Sequence, residues 1–387
     1  MNMNKIGRIL GLKLGMALFC ATAFTATAFA EEAKPATGLN PDDVKKALGI
    51  SFYLQGGYTY NTGNPASQEN DLRVFDHKAD SFGLDLAQIV ITKDVTTPDS
   101  SGFKIKLSSG ETAKWIHARG MSGAALTSSQ TGEGTDALDV TEAFVSYLAP
   151  LGKGLRFDLG KMVTFFGAEV IEAKDNANYS RSLLFNYAIP FTHTGLKMGY
   201  AFTDTFSMSA YAVNGWDNAT DNNKGKSLGL SVGITPAESF AAVLNYMAGP
   251  EQDNMTRNPR KLADAVVTIK PTKKLALILN YDSATEKMGV VSTGEDAKWS
   301  GAAGIVKYDL TDKYSIAVRA ESFDDKNGAR TGTAQKLTEY TVTPEIRLSG
   351  GLILRPEYRH DASNVYSFKA GEKKSQDTIA LGVMYSW

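Results

Sequence analysis

Glu169, Glu172 and Asp175 recur at every third position of a stretch that also carries Arg181. No nucleophile–base pair accompanies them, so the chemistry open to this set is electrostatic. In a narrow, water-stripped passage, a few fixed charges bias which ions pass. Glu172 and Asp175 are expected to face such a passage together with Glu169. Arg181 either completes the charged set or pins the stretch through a salt bridge to Glu169 or Glu172, since buried arginines are normally paired. The acids stand among Phe165, Phe166, Val170, Ile171, Leu183, Leu184, Phe185, Tyr187 and Ile189. Each of these gains about 1.5–3 kcal/mol when fully covered, so the stretch is expected to lie against a wall and not in solvent.

Other chemistry is sparse. His77, His117, His193 and His360 are far apart and share no ligand spacing. His193 reads as a packing residue where the stretch ends, against the alternative of a base in a lipid-acting enzyme. No nucleophile elbow is present, and the lone Cys20 excludes disulfides, thiolate metal sites and covalent haem. No cofactor or metal is expected, and no catalytic residue. Asp217-Asn218 and Asp221-Asn222-Asn223 offer calcium-type oxygens, but a polar outer loop explains them as well.

These residues need elements to hold them, and the first residues are not among those elements. Lys5, Arg8 and Lys13, an apolar run from Leu14 to Phe24, and Ala28-Phe29-Ala30 read as a signal peptide over residues 1–30. Phe19 is too bulky to precede a lipidated Cys20. Removing three of the 41 Lys and Arg leaves the 42 Asp and Glu in excess, which argues against nucleic acid as a partner. Residues 31–49 read as a short periplasmic segment. Within it, Asn40-Pro41-Asp42-Asp43 starts a helix that Gly49 closes.

From Ile50 to Trp387 the apolar residues alternate, with no later run of spanning-helix length. Mean hydropathy is −0.21, which suits a barrel whose polar lumen face offsets its apolar outer face. About sixteen strands follow from the alternation. Connections after even-numbered strands are tight, such as Thr203-Asp204, Thr311-Asp312 and Ser349-Gly350. Those after odd-numbered strands are long and polar, such as Asn61 to Asp80, Gly110 to Ala137, Val163 to Thr194 and Ser283 to Lys298. A soluble sandwich has no reason to sort its loops by parity; an outer-membrane barrel does. The last strand, Asp377 to Trp387, ends on an aromatic, which fits a lipid-facing strand read by barrel assembly machinery.

The fold expected is therefore an all-β transmembrane antiparallel barrel of about sixteen strands. Its third extracellular loop, Val163 to Thr194, folds into the lumen. Alternation sets Lys104, Lys106, Arg156, Arg319, Arg347, Arg355 and Arg359 on the inner wall, interleaved with Glu321, Glu345 and Glu357. Two readings follow: a cross-strand charge ladder, or a basic wall facing an acidic loop across the pore.

Gly154-Leu155-Arg156-Phe157-Asp158-Leu159-Gly160-Lys161, Gly167-Ala168-Glu169, Tyr179-Ser180-Arg181-Ser182, Pro190-Phe191-Thr192-His193-Thr194-Gly195 and Asn214-Gly215-Trp216-Asp217 resemble the OmpL-like β-barrel porin family. The likeness is densest from Asp139 to Tyr246. The resemblance implies passive diffusion of small hydrophilic solutes across an outer membrane, with outer-membrane lipid around the barrel. Porins of this size often form homotrimers, though no stretch marks an interface. The rival readings are a barrel that sheathes a partner such as an electron carrier, which needs a clear bore, and an outer-membrane enzyme acting on lipid.

Overall fold

The computed structural model describes residues 48–121, 138–290 and 292–387. The expected leader and the helix start at Asn40 lie outside them. Gly49, read as the close of that helix, is instead the first residue of a strand, paired with Thr92.

The strands are β1 (Gly49–Asn61), β2 (Ser81–Lys93), β3 (Ser100–Ser109), β4 (Leu138–Ala149), β5 (Leu155–Val163), β6 (Thr192–Ala201), β7 (Phe206–Val213) and β8 (Ser227–Ala237). They continue as β9 (Phe240–Pro250), β10 (Pro259–Thr272), β11 (Leu275–Val290), β12 (Glu295–Asp309), β13 (Tyr314–Asp325), β14 (Gln335–Arg347), β15 (Leu352–Ser363) and β16 (Ser375–Ser386). Each pairs antiparallel with its neighbours in sequence, and β16 returns to β1 with Tyr53 opposite Ser386. Closure leaves no free edge within the barrel order, the one way a sheet can cross a bilayer. One short helix, α1 (Glu111–Trp115), follows β3.

β14 shows why this sequence closes with its polar face inward. Gln335, Glu339, Thr341, Thr343 and Glu345 are buried, whereas Tyr340 and Val342 are exposed. Water-soluble sheets do the reverse. The pattern is stable only with hydrocarbon outside and a polar, filled interior.

Four local features depart from the sequence reading. Gln55 pairs with Leu86 and Gly56 with Leu84, so Asp85 is an extra, bulged residue. Lys106 pairs with Glu142 and Leu107 with Val140, which makes Thr141 a second bulged residue. The connection expected from Ser283 to Lys298 is not a loop. β11 runs on to Val290 and β12 begins at Glu295, since a polar ladder outside the membrane still satisfies its backbone. β6 likewise starts at Thr192, so His193 is a strand residue.

Candidate functional site

Residues 164–191 connect β5 to β6, and the Thr164 N–H donates to the Phe191 carbonyl at 2.8 Å, which ties the base of the loop. A loop has no ladder to satisfy its backbone, and each buried unpaired group costs about 1–3 kcal/mol. Inward side chains of the strands supply the partners. Glu357 of β15 accepts the N–H groups of Tyr179 and Ser180 at 2.7 and 3.0 Å. Glu321 of β13 accepts those of Leu183 and Leu184 at 2.7 and 3.2 Å, at the start of the π-helical turn Leu184–Ala188. A carboxylate suits that end because the first N–H groups of a helical turn lack intrahelical acceptors.

Arginines hold the carbonyls. Arg355 donates to Ala173 O and Asn178 O at 2.5 and 3.0 Å, Arg319 to Ser180 O at 2.8 Å, and Arg359 to Arg181 O at 2.6 Å. Contacts also reach the other walls. Phe165 stacks on Tyr211 of β7 at 3.9 Å, the Ala168 N–H donates to Asn280 of β11, and Glu172 meets Lys106 of β3 at 2.8 Å. The Ala173 and Lys174 N–H groups donate to Gln55 and Tyr53 of β1.

Tyr179 is wedged where β1 meets β16. Its hydroxyl donates to the bulged Asp85 at 2.6 Å. Its ring fills the space left by two glycines: a Cβ on Gly382 would lie 2.3 Å from the Tyr179 ring, and one on Gly57 2.3 Å from its hydroxyl oxygen. Gly382→Ala is expected to overpack this contact by about 1–3 kcal/mol. A lower thermal midpoint and faster protease cleavage within 164–191 would be the readout, and an unchanged cleavage rate would count against the wedge.

The sequence-expected charges fall into two groups. Glu169, Arg181, Arg319, Arg355 and Arg359 are 5 % exposed or less. Glu169 pairs with Arg319 at 2.7 Å and accepts the Ser182 N–H, so it does not face water. Arg181 donates to the carbonyls of Ile171 and Tyr179 and not to Glu169 or Glu172, which corrects both readings made of it. The guanidinium fork is spent on folding the loop back on itself. The idea of a basic wall across the pore from an acidic loop also fails for Arg319, Arg355 and Arg359. They lie against the loop and their charges are met by Glu169, Glu339, Glu345 and Asp361.

The second group retains access to water. The side chain of Asp175 is 54 % exposed beside Lys174. Those of Lys104, Arg156 and Arg347 are 29 %, 38 % and 33 % exposed, paired with Glu142, Asp158 and Glu345 or Asp309. Lys106 joins the groups, binding both Glu142 and Glu172. Burial pushes the Glu172 carboxyl up, but the Lys106 ammonium beside it prevails and holds it below the usual range. Glu172 is buried, contrary to its expected exposure.

Several partners carry no local sequence signal. Trp299 donates to Ala188 O at 3.1 Å, and Arg330 donates to Tyr187 O. Trp216 and Trp299 meet edge to face at 6.1 Å, with the Arg260 and Arg330 guanidinium groups over both rings. Nearby, the Trp216 N–H and the Ser227 hydroxyl donate to Glu251, just past the end of β9.

Burial pushes the Glu251 carboxyl up to about 7, against the pull of Arg260. Because the folded value lies above the free value of 4.5, the proton it holds stabilises the fold fully below that value. The contribution is lost as pH rises through about 7. Its upper bound is about 3 kcal/mol. Thermal midpoints are therefore expected to fall between pH 5 and pH 7.5 (approximate bounds from the same linkage), with a shallower slope in Glu251→Gln. An equal slope in both proteins would refute the assignment. Asp217, which accepts the Phe191 and Thr192 N–H groups, is raised to about 6 by burial and adds to the slope in the wild type and the variant alike.

Comparison with known proteins places this barrel among porins. Salmonella typhi OmpF, solved with daunomycin, superposes with a TM-score of 0.60 at 14% identity, covering 88% of this chain and 97% of that one. An anion-selective porin from Comamonas acidovorans gives 0.59 at 11% identity, with 88% and 99% covered. The trimer form of OmpT from Vibrio cholerae gives 0.56 at 13% identity, with 88% and 99% covered. At these identities the likeness is one of fold. No curated protein matches. A family model described as "Putative beta-barrel porin-2, OmpL-like" matches residues 47–387, which takes in every strand of the barrel. An inside-out sheet closed on itself, sixteen strands among the described residues and a family match along its whole length agree: the chain belongs to the OmpL-like β-barrel porin-2 family and resides in the outer membrane.

Proposed function

We propose that the barrel is a passive pore for small hydrophilic solutes or ions, narrowed by the loop 164–191. The observation that carries this reading is the loop's attachment to inward side chains of β1, β3, β7, β11, β13, β14 and β15. A segment tied to so many strands is set across the bore, not above it. Solutes pass the water-accessible charges: Asp175 and Lys174 on the loop, and Lys104, Arg156, Lys197 and Arg347 on the wall. Lys106 and Glu172, paired at 2.8 Å, tie the loop to β3.

No reacting group is invoked and the pore is not an enzyme. Small solutes and outer-membrane lipid are its partners, with assembly machinery engaging β16 and a homotrimer as the working assembly. Planar-bilayer recording of the purified protein tests the reading. Ohmic steps with ion selectivity support it. Absence of conductance together with a co-purifying haem protein would favour a sheath around an electron carrier.

A further inference from the structure

The loop covers most of its apolar side chains, but not Val170, which is 42 % exposed between Glu169 and Ile171 at 5 % and 3 %. It is not left out by fraying. The Val170 N–H donates to Asn176 Oδ1, and Asn176 Nδ2 donates back to the Val170 carbonyl, both at 2.8 Å. Asn176 is itself buried. One covered amide therefore clamps the backbone of Val170 on both sides and fixes the direction of its isopropyl group. A single exposed valine needs no explanation; a clamped one that shares a cavity with other accessible apolar groups does.

Val170 lines a cavity of about 300 Å³, at the lower end of the range for small-molecule sites. Val163 and Phe165 line it too and are half-buried, and the buried Phe166, Phe185 and Phe191 complete its apolar lining. Phe165 is held there by its stack on Tyr211 at 3.9 Å. The charged lining groups are Lys106, Glu169, Glu172 and Asp175. Three of them are taken. Lys106 sits between Glu142 and Glu172 at 2.9 and 2.8 Å, and Glu169 holds Arg319 at 2.7 Å. Asp175 differs, because its side chain is 54 % exposed. Its partner is the adjacent Lys174, which also lies over the Tyr53 ring at 5.7 Å. An ion pair open to water is weak, so a second ammonium can share the Asp175 carboxylate.

We propose that this cavity is a solute subsite of the pore, selective for small organic ammonium ions with an apolar body, of the arylalkylammonium class. The inference rests on the pore reading above. The ammonium lies at Asp175, where a charge-assisted hydrogen bond forms. The hydrocarbon lies against Val170, Phe165 and Val163, where covering apolar surface favours it over an equally charged ion without a ring. An anion with the same body meets the Asp175 carboxylate with the wrong sign.

The test uses the full mature chain and three probes: phenethylammonium, ethylammonium and phenylacetate. Binding is read by ligand-observed NMR on the protein in lipid nanodiscs against empty nanodiscs. Block is read as the fraction of single-channel current lost in planar bilayers, each variant scaled to its own open current. Phenethylammonium is expected to bind and block at concentrations about tenfold below those for ethylammonium, and phenylacetate to do neither in that range. Val170→Ser, at an exposed position, is expected to weaken phenethylammonium about fivefold. Asp175→Asn is expected to remove its advantage over phenylacetate. Equal potency of phenethylammonium and ethylammonium overturns the proposal, as does binding unchanged in both variants. Current without binding or block overturns the subsite and leaves the pore standing. Binding that both variants weaken, in a protein that passes no current, supports the site and sinks the pore reading instead.

Discussion

Deleting Glu169 to Asn178 is expected to raise single-channel conductance several-fold. The deletion removes the part of the loop that meets Lys106, Gln55, Tyr53, Arg355 and Thr343. It spares the base, where Thr164 binds Phe191, and it spares the ladder from β1 to β16. The barrel should therefore still close. Lys106 keeps Glu142, and Arg319 keeps Glu339, so neither cation is stranded. Conductance through a short aqueous constriction is set by its cross-section and fixed charges, and both change here. Recording wild type and deletion at the same salt measures the ratio. A ratio near one would mean that the loop lies off the conduction path, and the proposed function would lose its constriction.

Replacing Arg319 by Met is expected to cost about 3–5 kcal/mol, because it strands carboxylates in the interior. Arg319 is fully buried. It lies 2.7 Å from Glu169, 3.1 Å from Glu339 and 3.7 Å from Glu321, and it donates to Ser180 O. The same side chain joins the loop to β13 and β14, so its loss should free the loop before it opens the barrel. The expected signs are a lowered thermal midpoint and rapid proteolysis within 164–191. Glu169→Gln in the Arg319→Met background should recover part of the loss, since one stranded charge is gone. An unchanged midpoint would show that the carboxylates find another counter-charge.

Much of this was legible along the chain. Strand alternation is a property of neighbours two apart, so β2 is read from Ser81 to Lys93 without a fold in hand. The sorting of loops by length is likewise local. The loop itself was visible because Phe165, Phe166, Leu183, Leu184 and Phe185 cannot remain in water. The roles of its charges were not visible. Alternation placed Arg319, Arg355 and Arg359 on the inner wall, but not whether they meet water or loop. The bulges at Asp85 and Thr141 each shift the parity that the sequence argument relied on.

The sequence by itself determined the barrel, its approximate strand number, its inside and outside, and which connection is exceptional. Those follow from hydrophobic period and chain length, which act between near neighbours. Only the tertiary structure decided which charges are spent on holding the loop and which still meet water. Glu169 meets Arg319 across 150 positions of chain, and Tyr179 meets Glu357 across 178. Such pairings exist only once β16 has closed on β1, and at each of them burial makes the polar contact compulsory. Closure therefore turned Arg181 from a candidate pore charge into the residue that folds the loop onto itself. Among the charges expected from sequence, it left Asp175, Lys104, Arg156 and Arg347 with access to water.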